Sequence, residues 1–133
     1  MRVLITGSRD WTDAATIQTA LSAIYTTWRP HRTEFEQFIV VHGDARGADN
    51  IARQWALNTH QNDPWVTHEP HPAQWEDIGR SAGHRRNEEM VNLGADLCLA
   101  FPLGRSPGTR GCMKLARKAG ISMRQFPPKR GYR

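Results

Sequence analysis

Short apolar runs alternate with amphipathic stretches along almost the whole chain. RVLIT (2–6) is apolar and β-branched and is stopped by Gly7, which predicts a buried first strand. A helix is predicted from near Asp13, because Ile17, Leu21 and Ile24 recur on one face at helical spacing, and Pro30 breaks the pattern. FIVV (38–41) reads as a second strand and the stretch carrying Ile51 and Trp55 as a second helix. PWVTHEP (64–70) is a proline-bounded third strand, and HPAQWEDIGRSAGH a polar connection of mixed character. RRNEEMVNLG (85–94) forms a helix with Gly94 as its stop. ADLCLAF (95–101) is strand four, PLGRSPGTRG a loop, CMKLARKAG (112–120) a helix and SMRQF (122–126) a short fifth strand.

Strand and helix in strict alternation predict an α/β fold, a Rossmann-like three-layer sandwich around a mostly parallel five-stranded sheet with right-handed crossovers. In such a sheet the loops at the carboxyl ends of the strands share one edge, and with the order 3-2-1-4-5 the loops after strands one and four flank the crevice. Three loops that would meet there carry glycine. In TGSRDW, Gly7 lets the backbone turn, Ser8 offers a hydroxyl, Arg9 a fixed charge, and Asp10 a helix cap or an acceptor for a sugar hydroxyl. The G-x-G-x-x-G spacing of a dinucleotide site is missing. In HGDARGAD (42–49), Gly43 and Gly47 permit close approach to the main chain, Asp44 adds an acid, Ala45 and Ala48 keep the entrance uncluttered, and Asp49 can cap the helix or hold a hydroxyl. His42 is the titratable group nearest that loop, and a packed histidine is the commoner outcome there. In GRSPGTRG (104–111), Ser106 precedes the rigid Pro107, and Gly108 and Thr109 offer amides as a phosphate cradle at a helix N-terminus, with charge from Arg105 and Arg110.

A fourth segment, GHRRNEEM (83–90), adds Arg86 and Asn87, with Glu88 or Glu89 to accept a proton or bind sugar; a surface helix with its own ion pairs is the plain alternative. Cys112 is read as the start of a helix, where a lowered pKa and a nucleophilic role are conceivable, although small buried cysteines are common. The histidines and cysteines show no zinc spacing, so no metal is expected.

Charge changes the picture more than composition does. The 133 residues carry a formal +5, but residues 1–79 hold six basic and ten acidic side chains against twelve and three in residues 80–133. Arginine outnumbers lysine fifteen to three, and the planar guanidinium suits phosphate. Either an arginine-lined pocket for a phosphorylated small molecule or a basic face for nucleic acid follows. The length fits one domain, 1–126, with a basic tail over 127–133. No segment reads as a signal peptide or membrane span, so a cytoplasmic protein with reduced thiols is expected.

MRVLITGSRDW, VHGDARGAD, GHRRNEEM and SPGTRG, in that order, resemble the SLOG superfamily of Rossmann-like proteins (the SMF/DprA-LOG group), most closely its small stand-alone YspA-like branch of bacteria and phages. The resemblance covers roughly residues 1–125. It implies a nucleotide or nucleotide-derived phosphorylated ligand at the carboxyl edge of the sheet and self-association; with the dinucleotide spacing missing, no cofactor is expected. LOG-type relatives are phosphoribohydrolases that pair an arginine in an H-E-R-K type segment with a glutamate in P-G-G-x-G-T-x-x-E. Arg86 falls at the arginine position, but Cys112 stands where the glutamate would be, so a catalytic pair of Arg86 with Glu89 is the hydrolytic alternative. A DprA-like nucleic-acid role is a further alternative, lowered by the lack of interleaved aromatics in the basic half.

Overall fold

A computed structural model describes residues 1–75 and 79–129, the side chain of Arg80 excepted. Among the described residues the order is β1 (Arg2–Gly7), α1 (Ala14–Trp28), β2 (Phe38–His42), α2 (Ala48–His60), β3 (Val66–Pro70), α3 (Ala82–Asn92), β4 (Leu97–Phe101), α4 (Pro107–Lys118) and β5 (Met123–Gln125), with single 3-10 turns at Arg29–His31 and Gly79–Ser81. The five strands form one sheet in the order β3-β2-β1-β4-β5, and every pairing is parallel. This is the expected three-layer Rossmann-like architecture.

The side-chain alternation of β1 explains the layers. Val3 and Ile5 point to one face, into a core with Ile17 and Leu21 of α1 and Ala52 and Trp55 of α2. Leu4 points to the other, among Met90 and Val91 of α3 and Cys112 and Ala116 of α4. Among the described residues two helices therefore cover each face, and the chain changes face as it returns from β3 to β4, which pairs with the opposite side of β1. The loops after β1 and β4 consequently diverge at the switch point and open a crevice. Pro70 in β3 is tolerated because β3 is an edge strand, where a missing N–H breaks no ladder on the outer side.

The ends of the elements follow local chemistry. Asp13 caps α1 by accepting from the Thr16 amide at 3.3 Å, and its second oxygen accepts from the Lys129 amide at 2.8 Å, which holds the start of the basic tail against the first helix. Phe126 stacks on Phe101 with ring centroids 5.2 Å apart. Residues 130–133 of the expected tail lie outside the described residues, as do residues 76–78 of the polar connection. The last two helices begin earlier than their apolar periodicity indicates: α3 at Ala82 rather than 85, and α4 at Pro107 rather than 112. SPGTRG is thus not all loop. Proline at the first helical position has no N–H to leave unsatisfied and a preset φ, so Pro107, expected within a loop, starts the helix instead. Cys112 accordingly lies in the second turn of α4.

Candidate functional site

A cleft of about 530 Å³ opens at the carboxyl edge of the sheet, between the β1–α1 loop and the first turn of α4. Its walls come from Gly7 to Asp10, from Ala45 and Asp49 at the start of α2, from Arg86 and Asn87 of α3, and from Ser106 to Thr109. Four segments distant in sequence thus reach one crevice. Gly43 and Asp44 instead line an adjoining depression of about 330 Å³, which shares Arg9, Ala45, Arg46, Trp75 and Arg86 with the cleft.

The joint between β1 and α2 is closely packed. A Cβ on Gly7 would collide with the Ala48 methyl, so its missing side chain serves to seat α2 against the strand. Gly47 has φ 74°, and a Cβ there would strike the carbonyls of Ser8 and Arg9. The Ala48 amide donates to the Ser8 carbonyl at 3.1 Å. Gly47 and Ala48 therefore shape the joint rather than line the cleft.

Asp49 is almost fully buried at the start of α2. Its Oδ2 turns back and accepts from the amides of Gly43 at 3.1 Å and Ala45 at 3.3 Å, which holds the preceding loop in place. Burial pushes its pKa up to about 6, against the pull of those amides and of the Arg86 guanidinium. Arg86 donates through Nη1 to the Gly43 carbonyl and through Nε to Asn87 Oδ1 at 2.9 Å, and Asn87 Nδ2 donates to the Gly108 carbonyl at 3.2 Å. One chain of hydrogen bonds so ties the β2–α2 loop, α3 and the first turn of α4 together. A Cβ on Gly43 would meet the guanidinium, so a side chain there would make Arg86 shift. Burial lowers the pKa of Arg86, which stays charged at any ordinary pH.

The start of α4 is open. Ser106 takes a left-handed conformation (φ 35°) and makes no side-chain cap; its hydroxyl accepts from the Leu103 amide at 3.0 Å and donates to the Leu103 carbonyl. The amides of Gly108 and Thr109 have no acceptor within the helix, as in any first turn. Nothing lies within 4 Å of where a Cβ would stand on Gly108 or Gly111. The helix therefore presents its positive end to free space in the cleft.

Several residues fall elsewhere than their sequence context indicates. Arg110 reaches back to the carbonyls of Gly104 (2.9 Å) and Arg105 (3.1 Å) and clasps its own loop. Glu89 is exposed and faces His71 at 3.7 Å, away from the cleft, while Glu88 pairs with His84 at 2.9 Å along α3. Glu89 is therefore not among the residues that line the cleft with Arg86. Cys112 is fully buried, and desolvation raises its pKa although Thr6 and Arg86 pull the other way; of the two readings it takes that of a small buried cysteine and not of a low-pKa nucleophile. His42 is also fully buried: Nδ1 accepts from the Asp44 amide at 3.0 Å, Nε2 meets His68 Nδ1 at 3.0 Å, and burial pulls its pKa down to about 4. It is a neutral packing residue. Asp10 is exposed and pairs with Arg46 at 3.5 Å.

Trp75, in the polar connection, is a cleft residue that motif reading passes over. Its ring is 46 % exposed, lines both depressions and lies 5.2 Å from the Arg9 guanidinium. An isolated tryptophan in a polar stretch was the available signal. Among the described residues, no group of three histidines, cysteines or carboxylates is arranged to hold a metal ion, and no helix is long and apolar enough to cross a membrane. Both cysteines are free and buried.

Compared with known proteins, the chain matches the YspA, cpYpsA-related SLOG family over residues 1–77. It is also 53 % identical over 128 residues to the Gene 61 protein of Mycobacterium phage D29, an alignment that spans 96 % of this chain and 98 % of that protein.

Proposed function

The chain belongs to the YspA, cpYpsA-related SLOG family, and from that premise we propose that it binds a nucleotide or nucleotide-derived phosphorylated ligand in the cleft, as a sensor or sequestering module. The observation that carries this reading is the uncapped N-terminus of α4, open to a cleft that also holds the Arg86 guanidinium. The phosphate is assigned to the Gly108 and Thr109 amides, where the helix end favours an anion. Arg86 has five N–H donors, of which Gly43 and Asn87 engage two, and the others serve the same anion. The cleft volume lies within the range of small-molecule sites and accommodates a nucleoside phosphate.

The disposition of carboxylates favours binding over hydrolysis. An oxocarbenium-like ribosyl centre needs a fixed anion beside it. The position of the LOG-type glutamate is the buried thiol of Cys112, Glu89 faces His71, Asp10 is paired at the surface, and Asp49 is committed to loop amides. The basic half also divides its charges: Arg86 goes to the cleft, Arg110 to its own loop, and Lys114, Arg117 and Lys118 to the outer side of α4. This weakens the case for a single nucleic-acid surface.

Titration calorimetry with the four common nucleoside 5′-monophosphates, followed by chromatography for released base, tests the reading. The expected result is one-to-one binding that falls at least about tenfold in Arg86→Ala, with no base released. Steady release of base would replace the sensor with a hydrolase. Failure of every nucleotide to bind, with none retained in native mass spectrometry of the purified protein, would remove the nucleotide assignment.

A further inference from the structure

We propose that Trp75 is the platform on which the base of the bound ligand stacks, so that the cleft selects for a ligand carrying an aromatic ring and not for sugar phosphate alone. The proposal rests on the nucleotide reading above and adds to it the position of the base. Of the five tryptophans, Trp11 and Trp55 are buried in the core and Trp28 and Trp65 are partly covered; Trp75 is the exposed one. It belongs to no apolar cluster in either face of the sandwich. What holds it is the cleft itself. The indole lies against the start of α3, where a Cβ on Gly83 would stand 3.0 Å from its Cη2, so the absence of a side chain there lets the ring pack closely on the helix.

The ring also lies beside Arg9, whose guanidinium is 5.2 Å from the ring centroid. A cation over an exposed indole is a weak contact, whereas a nucleobase on an aromatic ring gains more, because both surfaces are flat and apolar and leave water together. Exchange of one partner for the other is therefore favourable, and it leaves Arg9, which lines the same cleft, available to a phosphate. The indole also lines both depressions, so a base on it sits where the two meet and the sugar phosphate extends toward α4.

The test compares nucleoside 5′-monophosphates with ribose 5-phosphate, which carries the same phosphate and sugar but no base. In Trp75→Ala the nucleotides are expected to bind about tenfold or more weakly while ribose 5-phosphate binds as to the wild type; Trp75→Phe, which keeps a ring, retains most of the affinity. Nucleotide but not ribose 5-phosphate is expected to quench indole fluorescence in the wild type, and the quench is lost in Trp75→Phe. Thermal unfolding of both variants at the wild-type temperature checks that the fold is unchanged. Unaltered nucleotide affinity in Trp75→Ala, or an equal loss for both ligands, overturns the platform while the nucleotide site stands. If neither ligand binds the wild type, the platform falls together with the reading beneath it.

Discussion

Two helices at the cleft start from glycine-bearing loops of similar composition and finish in opposite conditions. At the start of α2 the protein fills the space with its own groups: Gly47 is pressed against the main chain of Ser8 and Arg9, the Ala48 amide is taken by Ser8, and Asp49 folds back onto Gly43 and Ala45. At the start of α4, Pro107 has no N–H, Ser106 directs its hydroxyl to Leu103, and Gly108 and Gly111 face open space. In the first loop the missing Cβ serves close packing of backbone on backbone; in the second it leaves room. A glycine's role is decided by what stands opposite it.

The contrast can be broken most directly at Gly47. Gly47→Ala puts a methyl at φ 74° against two carbonyls, and the left-handed strain and the clash together are expected to cost about 3 kcal/mol or more of stability in urea denaturation. A loss below about 1 kcal/mol would mean that the α2 joint is not closed.

An effect of similar size but pH-dependent is expected at Asp49. Its pKa of about 6 lies above that of an unfolded aspartate, so between about pH 4 and pH 6 the folded state keeps a proton that the unfolded chain has released. Its contribution to stability is therefore lost as pH rises through that window. Asp49→Asn removes this dependence, and the stability of the variant relative to the wild type is expected to increase by about 3 kcal/mol between pH 4 and pH 7. His42, pulled down to about 4, works with the opposite sign: the unfolded chain takes up a proton below about pH 6.5 that the folded state resists, so stability falls as pH drops toward 4. That contribution is common to both proteins and cancels in the difference. A pH-independent difference would show that Asp49 ionises as easily folded as unfolded.

The smallest stability change is expected at the open end. Gly108 has an ordinary φ and nothing near its missing Cβ, so Gly108→Ala should leave stability unchanged or raise it by at most about 1 kcal/mol, since alanine is the better helix former. Nucleotide affinity in the same calorimetric assay should nevertheless fall, because the methyl occupies the space over the exposed amides. Wild-type affinity in that variant would take the α4 terminus out of the phosphate site.

Much of the fold was legible along the chain. Runs such as RVLIT and LCLAF announce buried parallel strands because both of their faces are covered, and Ile17, Leu21 and Ile24 announce α1 because helical periodicity is a local property. The start of α4 was missed because its first turn is polar and glycine-rich and shows no apolar period until Cys112; proline in the first position was the overlooked mark. At the cleft, the segments that meet were legible as motifs, while the individual side chains were not. Arg86 and Arg110 look alike in sequence, yet one reaches Gly43 across 43 positions and the other closes on its own loop.

By itself, then, the sequence determined the alternation of strands and helices, and with it the layered sheet and the edge at which the loops gather, because those follow from the periodicity of apolar side chains and the handedness of crossovers. Tertiary structure alone decided which loop is sealed and which is open, that Cys112 and His42 are core residues and not reactive ones, and that Trp75 stands in the cleft. The physical reason is that desolvation and hydrogen-bond partnership depend on groups brought together from distant segments, and no local pattern encodes which group arrives.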